Sequence, residues 1–208
     1  YEIASSDWSS DVCSSDLGIG FRKGSDMAQK VNDIIASLKD DGTLDHGCKR
    51  GFPTPSASLY YFLGLDKRHP ESRRYGAYRQ TFIREDQTAE VDAVSGSFLM
   101  MPKEVFQKVG GFDEDYFMYG EDLDLCYRIK EAGYRVVYFA GASMTHLRGQ
   151  SGLSAQSKEI IYQFHYAMAL FYRKHFKKKY NVFVTGAVYA GIWLKYGLTR
   201  LKSMLKRG

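Results

Sequence analysis

A chain of 208 residues with 44% hydrophobic and 25% charged side chains has the apolar content for one domain, or one and a half, of ordinary soluble composition. Its three cysteines, Cys13, Cys48 and Cys126, are odd in number and form no CxxC pair, which excludes a disulfide framework and makes a reducing compartment the default. The net charge of +5 is unevenly spread: Phe171 to Gly208 holds ten Lys or Arg and no acid, against 19 basic and 24 acidic residues before it. The 16 Tyr and 13 Phe suggest a planar ligand or membrane contact. No basic start followed by an apolar segment opens the chain, so no signal peptide is expected.

Ser5 to Leu17, "SSDWSSDVCSSDL", repeats Ser-Ser-Asp three times without helical or strand periodicity. It resembles translated sequencing adapter, and residues 1–20 are expected to be artefactual or disordered. Apolar residues at 27, 31, 34, 35 and 38 predict a helix over Met27 to Leu38, and Asp41-Gly42 predicts a turn. "FPTPSASLYYFLGL" should begin extended, because Phe52 and Thr54 precede prolines, and continue as a short helix. "DKRHPESRRYGAYRQTF" reads as a polar, basic loop.

From Ala89 the pattern sharpens. "EVDAVSGSFLMMP" reads as a strand with Gly96 in its middle, a place where backbone or ligand approaches closely. Pro102 suits the first turn of a helix "KEVFQKV" ended by Gly110-Gly111. A loop then leads to a helix from Glu121 to Ala132, capped by Gly133. "YRVVYF" reads as a buried strand, "ASMTHL" as a short one, and Lys158 to His175 as an aromatic helix. The last segment, Asn181 to Arg207, contains a thirteen-residue apolar run bounded by lysines and arginines, short of the ~20 needed to span a bilayer. Either it lies in an anionic membrane surface or it packs on the domain with a solvated basic face.

The first turn of the Glu121 helix carries Glu121, Asp122 and Asp124. Acids there complement the helix macrodipole, and that alone can account for them. The wider run "VDAVSGSFLMMPKEVFQKVGGFDEDYFMYGEDLDLCYRIKEAGYRVVYFAGASMTHLRGQS", with "GCKRGFPTP" ahead of it, resembles the C-terminal half of family 2 inverting glycosyltransferases, and more narrowly their rhamnosyltransferase-like group. The order GGFDE, then ED, DLC and Arg, then AGY and a later His carries the likeness. It implies an α/β fold, the C-terminal part of a GT-A (Rossmann-like) domain truncated at its N-terminus, plus C-terminal amphipathic helices. The implied organisation is a partial catalytic domain over 21–155 and a helical, basic, membrane-associated region over 156–208.

The resemblance also implies roles. Asp122 becomes the catalytic base that takes the acceptor hydroxyl proton, with Glu121 shaping the acceptor pocket and Asp124 a cap or supporting contact. Ser95, Gly96 and Ser97 line the substrate pocket, and Arg148 and Gln150 lie on a loop able to cover a diphosphate. A divalent cation, Mg²⁺ or Mn²⁺, is implied, with His146 as a ligand. The main DxD ligand motif is missing: Asp40-Asp41 follows no apolar strand, and Asp122-Leu123-Asp124 opens a helix at the base position. Implied partners are a nucleotide-diphosphate sugar, a lipid-linked saccharide and an anionic membrane at the cytoplasmic face of the inner membrane, with no nucleic acid. The alternative is a non-catalytic, basic membrane-surface or nucleic-acid-binding protein. A metal-dependent hydrolase lacks any HxH or HExxH spacing.

Overall fold

The computed structural model describes residues 37–38, 47–141, 144–145 and 158–205. The Ser-Ser-Asp repeats, the Asp41-Gly42 turn and most of the Met27 helix lie outside them; Ser37–Leu38, read as helix from sequence, is a strand, β1. Further strands are β2 (Lys49–Arg50), β3 (Ala89–Val91), β4 (Ala93–Val94), β5 (Val136–Tyr138) and β6 (Met144–Thr145). Helices are α1 (Pro55–Phe62), α2 (Leu65–Arg68), α3 (Lys103–Val109), α4 (Glu121–Glu131), α5 (Lys158–Phe171) and α6 (Val182–Leu205), with a π-helical turn at Tyr172–Phe176.

Helix boundaries follow local chemistry. Thr54 caps α1 by accepting from the Ala57 N–H at 3.2 Å, and Pro55 occupies the first turn where no amide hydrogen is needed. Pro102 stands at the start of α3, and Gly110, at φ +85°, closes it in the left-handed region that glycine enters without Cβ cost. The loop read after α1 from sequence instead contains the short helix α2, whose Asp66 is buried opposite Arg79 at 3.5 Å.

The described strands form three pairs. Strand β1 runs parallel to β6, β2 pairs antiparallel with β4 (Arg50 opposite Ala93), and β3 antiparallel with β5 (Val91 opposite Val136). Strands β3 and β4 are nearly continuous, broken at Asp92, whose carboxylate takes the Lys130 ammonium at 3.2 Å and the Phe52 N–H at 3.3 Å. The strand ends at Val94, so Gly96 lies beyond it and not in its middle. Only alternate residues of β5 are buried: Val136 and Tyr138 face inwards while Val137 is exposed, the mark of a one-sided sheet.

Helix α4 lies across this sheet and is buried nearly all round, from Asp122 through Tyr127 and again at Ile129. Against its other side pack Leu170 and Phe171 of α5 and Tyr172 and Phe176 of the π turn, within one core cluster that includes Val91, Leu125 and Cys126. Some of the abundant rings are used here: Tyr127 meets Phe52 at 4.8 Å, Phe171 at 5.7 Å and His175 at 4.2 Å between centroids.

Candidate active site

Two residues in the left-handed region, Tyr119 (φ +71°) and Gly120 (φ +87°), turn the chain sharply into α4. A side-chain-bearing residue pays for that conformation, so Tyr119 is held there by its surroundings, including an edge contact with Phe164 at 5.7 Å. Gly120 offers no capping side chain, and the acids that follow take separate paths.

Asp122 points towards the sheet. Its Oδ2 accepts an ion-paired hydrogen bond from Arg50 on β2 and a second from the Gly96 N–H at 2.9 Å. Its Oδ1 accepts from the Leu123 N–H at 2.6 Å. A carboxylate has about four acceptor positions, so three donors leave one on Oδ1. Burial works against the Arg50 charge, yet the Asp122 carboxylate together with Tyr78, Cys126 and Glu121 outweighs it and holds the guanidinium pKa above its ordinary value. A Cβ added at Gly96 would sit 3.1 Å from the Asp122 Cβ. Glycine at 96 therefore allows the backbone to reach the carboxylate, the close approach expected there, made to a side chain of the same protein.

Arg50 escaped the sequence reading, although "GCKRGFPTP" contains it. The signal was the glycine after it: a Cβ on Gly51 would stand 2.0 Å from the Ala77 carbonyl oxygen. That tight crossing, with Gly51 N–H bonded to Tyr78 O at 2.7 Å, fixes where β2 delivers the guanidinium. Burial also raises the Tyr78 pKa beside this pair.

Asp124 faces the opposite way. It caps nothing, contrary to one of the roles expected for it. Its side chain is 1% exposed and sits 2.7 Å from Arg128 Nε, 2.6 Å from His175 Nε2 and 3.4 Å from the Tyr116 hydroxyl. A carboxylate can only accept, so His175 carries its proton on Nε2. Arg128 reaches on to the carbonyls of Val109 and, at 2.8 Å, Gly111, tying the Gly-Gly turn to α4. Lys174 grips Asp113 and Asp115 of the following loop. Thus much of the spaced motif, GGFDE through the Arg of DLCYR, is a clamp around α4.

Of the expected site residues, Glu121 is half-buried beside Asp122, and Ser95, Gly96 and Ser97 lie across from it on the loop after β4. Ser97 donates to Ser95 Oγ through both its amide (3.3 Å) and its hydroxyl (3.1 Å). Both serines line a groove of about 520 Å³ that continues past Val94, Leu99, Met101 and Cys126; neither Asp122 nor Glu121 lines it. Burial in its wall pushes the Cys126 thiol up to about 11, which makes it an inert core group. His146, Arg148 and Gln150 lie outside the described residues.

Among the described residues no three His, Cys, Asp or Glu side chains converge as a metal site, and Asp122 is already committed to a guanidinium and two amides. These residues do not fit a divalent-cation site, and no step below passes through one.

This arrangement of a carboxylate at a helix start opposite a glycine loop coincides with a family match. Residues 69–161 match the family model described as glycosyltransferase like family 2, which bears out the resemblance read from the sequence and implies a GT-A type fold. The chain is 44% identical over 75 residues to N-acetylglucosaminyl-diphospho-decaprenol L-rhamnosyltransferase of Mycobacterium tuberculosis, covering 36% of this chain and 24% of the relative. It is 34% identical over 110 residues to Rhamnosyltransferase WbbL of Escherichia coli, covering 52% and 38%. A third relative, low-salt glycan biosynthesis hexosyltransferase Agl10 of Haloferax volcanii, is 29% identical over 84 residues, covering 40% and 24%. The chain thus spans about a quarter to two fifths of the length of these curated relatives. No solved structure matches.

Proposed function

We propose that the protein acts in glycosyl transfer, moving a sugar of the rhamnose type from a nucleotide-diphosphate donor to a lipid-linked or polysaccharide acceptor during assembly of a bacterial surface polysaccharide. The matched segment and the names of the relatives support the reaction class and a lipid diphosphate as the acceptor's carrier. One observation carries the reading: a nearly buried carboxylate, Asp122, fixed by Arg50 and the Gly96 amide with one acceptor position left on Oδ1.

The chemistry follows from that position. The acceptor hydroxyl gives its proton to Asp122 Oδ1 as its oxygen bonds to the anomeric carbon. The bond from that carbon to the diphosphate breaks on the opposite face, the electron pair leaving with the nucleotide diphosphate, and the configuration inverts. Arg50 and Gly96 hold the base in place; Glu121 flanks the entering acceptor. On this reading the reaction runs at the cytoplasmic face of the inner membrane, with the protein attached peripherally.

The test is transfer of labelled sugar from nucleotide-diphosphate donors to a membrane lipid fraction. Asp122→Asn should lower turnover by about 10²- to 10⁴-fold, the usual worth of a positioned base, while donor binding is kept. Turnover at the parent rate in Asp122→Asn would overturn the base assignment.

A further inference from the structure

Helix α6 turns an unexpected side to solvent. Its inward face packs on α5: Ile192 is buried, and Trp193 and Tyr196 meet Tyr162 at 6.1 Å. Its outward face is apolar, with Phe183 84%, Leu194 67%, Leu198 60%, Leu201 52% and Leu205 76% exposed. At 100° per residue these five fall within an arc of about 60° that contains no charge and runs about 33 Å along the helix. A solvated basic face, one of the two expectations for this segment, is not what the helix presents.

A second element joins the stripe. Lys195, on its edge, lies 4.3 Å above the Phe62 ring at the end of α1. Beside Phe62, Leu59 and Leu63 are likewise more than half exposed, at 53% and 59%. Two apolar edges from distant parts of the chain therefore meet at one lysine. Contiguous exposed apolar surface of this kind marks a docking site.

Charge decides between occupants. From Phe171 to Gly208 there are ten Lys or Arg and no acid, so a second copy docked through the same helix face would bring like charges to the flanks of the stripe. An anionic surface would meet Lys195 and Lys202, which flank the arc, with opposite charge, and their long stems can lie along it with the ammonium heads in the headgroup layer. Among the described residues no helix is long and apolar enough to cross a membrane, so α6 would lie in the surface plane.

We propose that the outer face of α6 and the Leu59–Leu63 end of α1 together form one docking surface for an anionic lipid bilayer. This deepens the membrane placement in the reading above and rests on it for the source of the acceptor; the surface itself stands on exposure and charge.

The test is flotation of the full chain with phosphatidylcholine vesicles containing or lacking phosphatidylglycerol, with no donor or acceptor present, so that loss of transfer activity has no bearing on the result. The parent chain should float with the anionic vesicles, less as salt is raised, and weakly with neutral ones. Leu194→Glu or Leu198→Glu should lower the partition coefficient about tenfold or more, and Leu63→Glu several-fold, with unchanged melting because all three sites are more than half exposed. Equal partitioning of parent and Leu194→Glu overturns the proposal, as does absence of flotation. A loss confined to the α6 variants overturns the two-element surface. A dimer dispersed by Leu198→Glu without any vesicle binding overturns it in favour of a second copy.

Discussion

Asp122 and Asp124 stand two residues apart on one helix and are both nearly buried, yet they serve opposite ends. The Asp122 environment is made by β2 and the glycine loop, a cation and two amides that stop short of filling the carboxylate. The Asp124 environment is made by Tyr116, Arg128 and His175, drawn from three elements that close over it. Successive odd or even positions on a helix diverge by about 200°, so one first turn can supply a reactive group to one side and a fastening to the other. The difference teaches that acids at a helix start are read by where they point and by what is left unfilled.

The comparison breaks most visibly at Asp124. Asp124→Ala leaves Arg128 and His175 without their acceptor in the core and should cost about 3–5 kcal/mol in urea unfolding. Asp122→Asn, beside a guanidinium whose side chain is 27% exposed, should cost clearly less on the same measurement while removing transfer. If the two variants unfold at the same denaturant concentration, the division between fastening and base fails.

Gly96→Ala sharpens the catalytic side. Its new Cβ at 3.1 Å from the Asp122 Cβ must displace the carboxylate by a few tenths of an ångström or more. We expect turnover to drop by about 10- to 100-fold, with a stability loss of about 1–3 kcal/mol. Unchanged turnover would mean that the glycine loop does not position the base.

Smaller effects belong to the clamp. Tyr116→Phe removes one hydroxyl from Asp124 and should cost about 0.5–1.5 kcal/mol, read as a shifted unfolding midpoint with normal turnover. Burial opposes ionisation of Asp113, but the bond and charge of Lys174, with the Asp115 amide and the Arg128 charge, together offset this and hold the carboxyl below its usual range. A depressed carboxyl contributes stability above its unfolded value of about 3.9 and loses it as the pH falls through the folded one. The urea midpoint should therefore fall between about pH 4 and pH 2 by more in the parent than in Asp113→Asn; parallel curves would show the pair to be inert.

Local chemistry made several elements legible. Thr54-Pro55, Pro102 with Gly110-Gly111, and the apolar spacing after Glu121 carry their own start and stop signals, and each helix formed where those signals lie. The strand over "EVDAVSGSFLMMP" was overextended, because its pattern is apolar past Val94 while the described pairing partner β2 is only two residues long. Arg50 and His175 went unread because each meets its carboxylate across 72 and 51 residues of chain, a distance that no periodicity encodes.

The sequence by itself determined which residues begin and end the helices, the identity of the acids at the start of α4, and the basic, acid-free composition of the last 38 residues. Those follow from backbone propensities and covalent order, which act within a few residues. Only the tertiary structure decided that Asp122 meets Arg50 and the Gly96 amide while Asp124 is closed into the core, and that α6 turns a stripe of leucines outwards. A side chain's partner is set by which distant segment packing brings to it, and its exposure by which face that packing leaves uncovered.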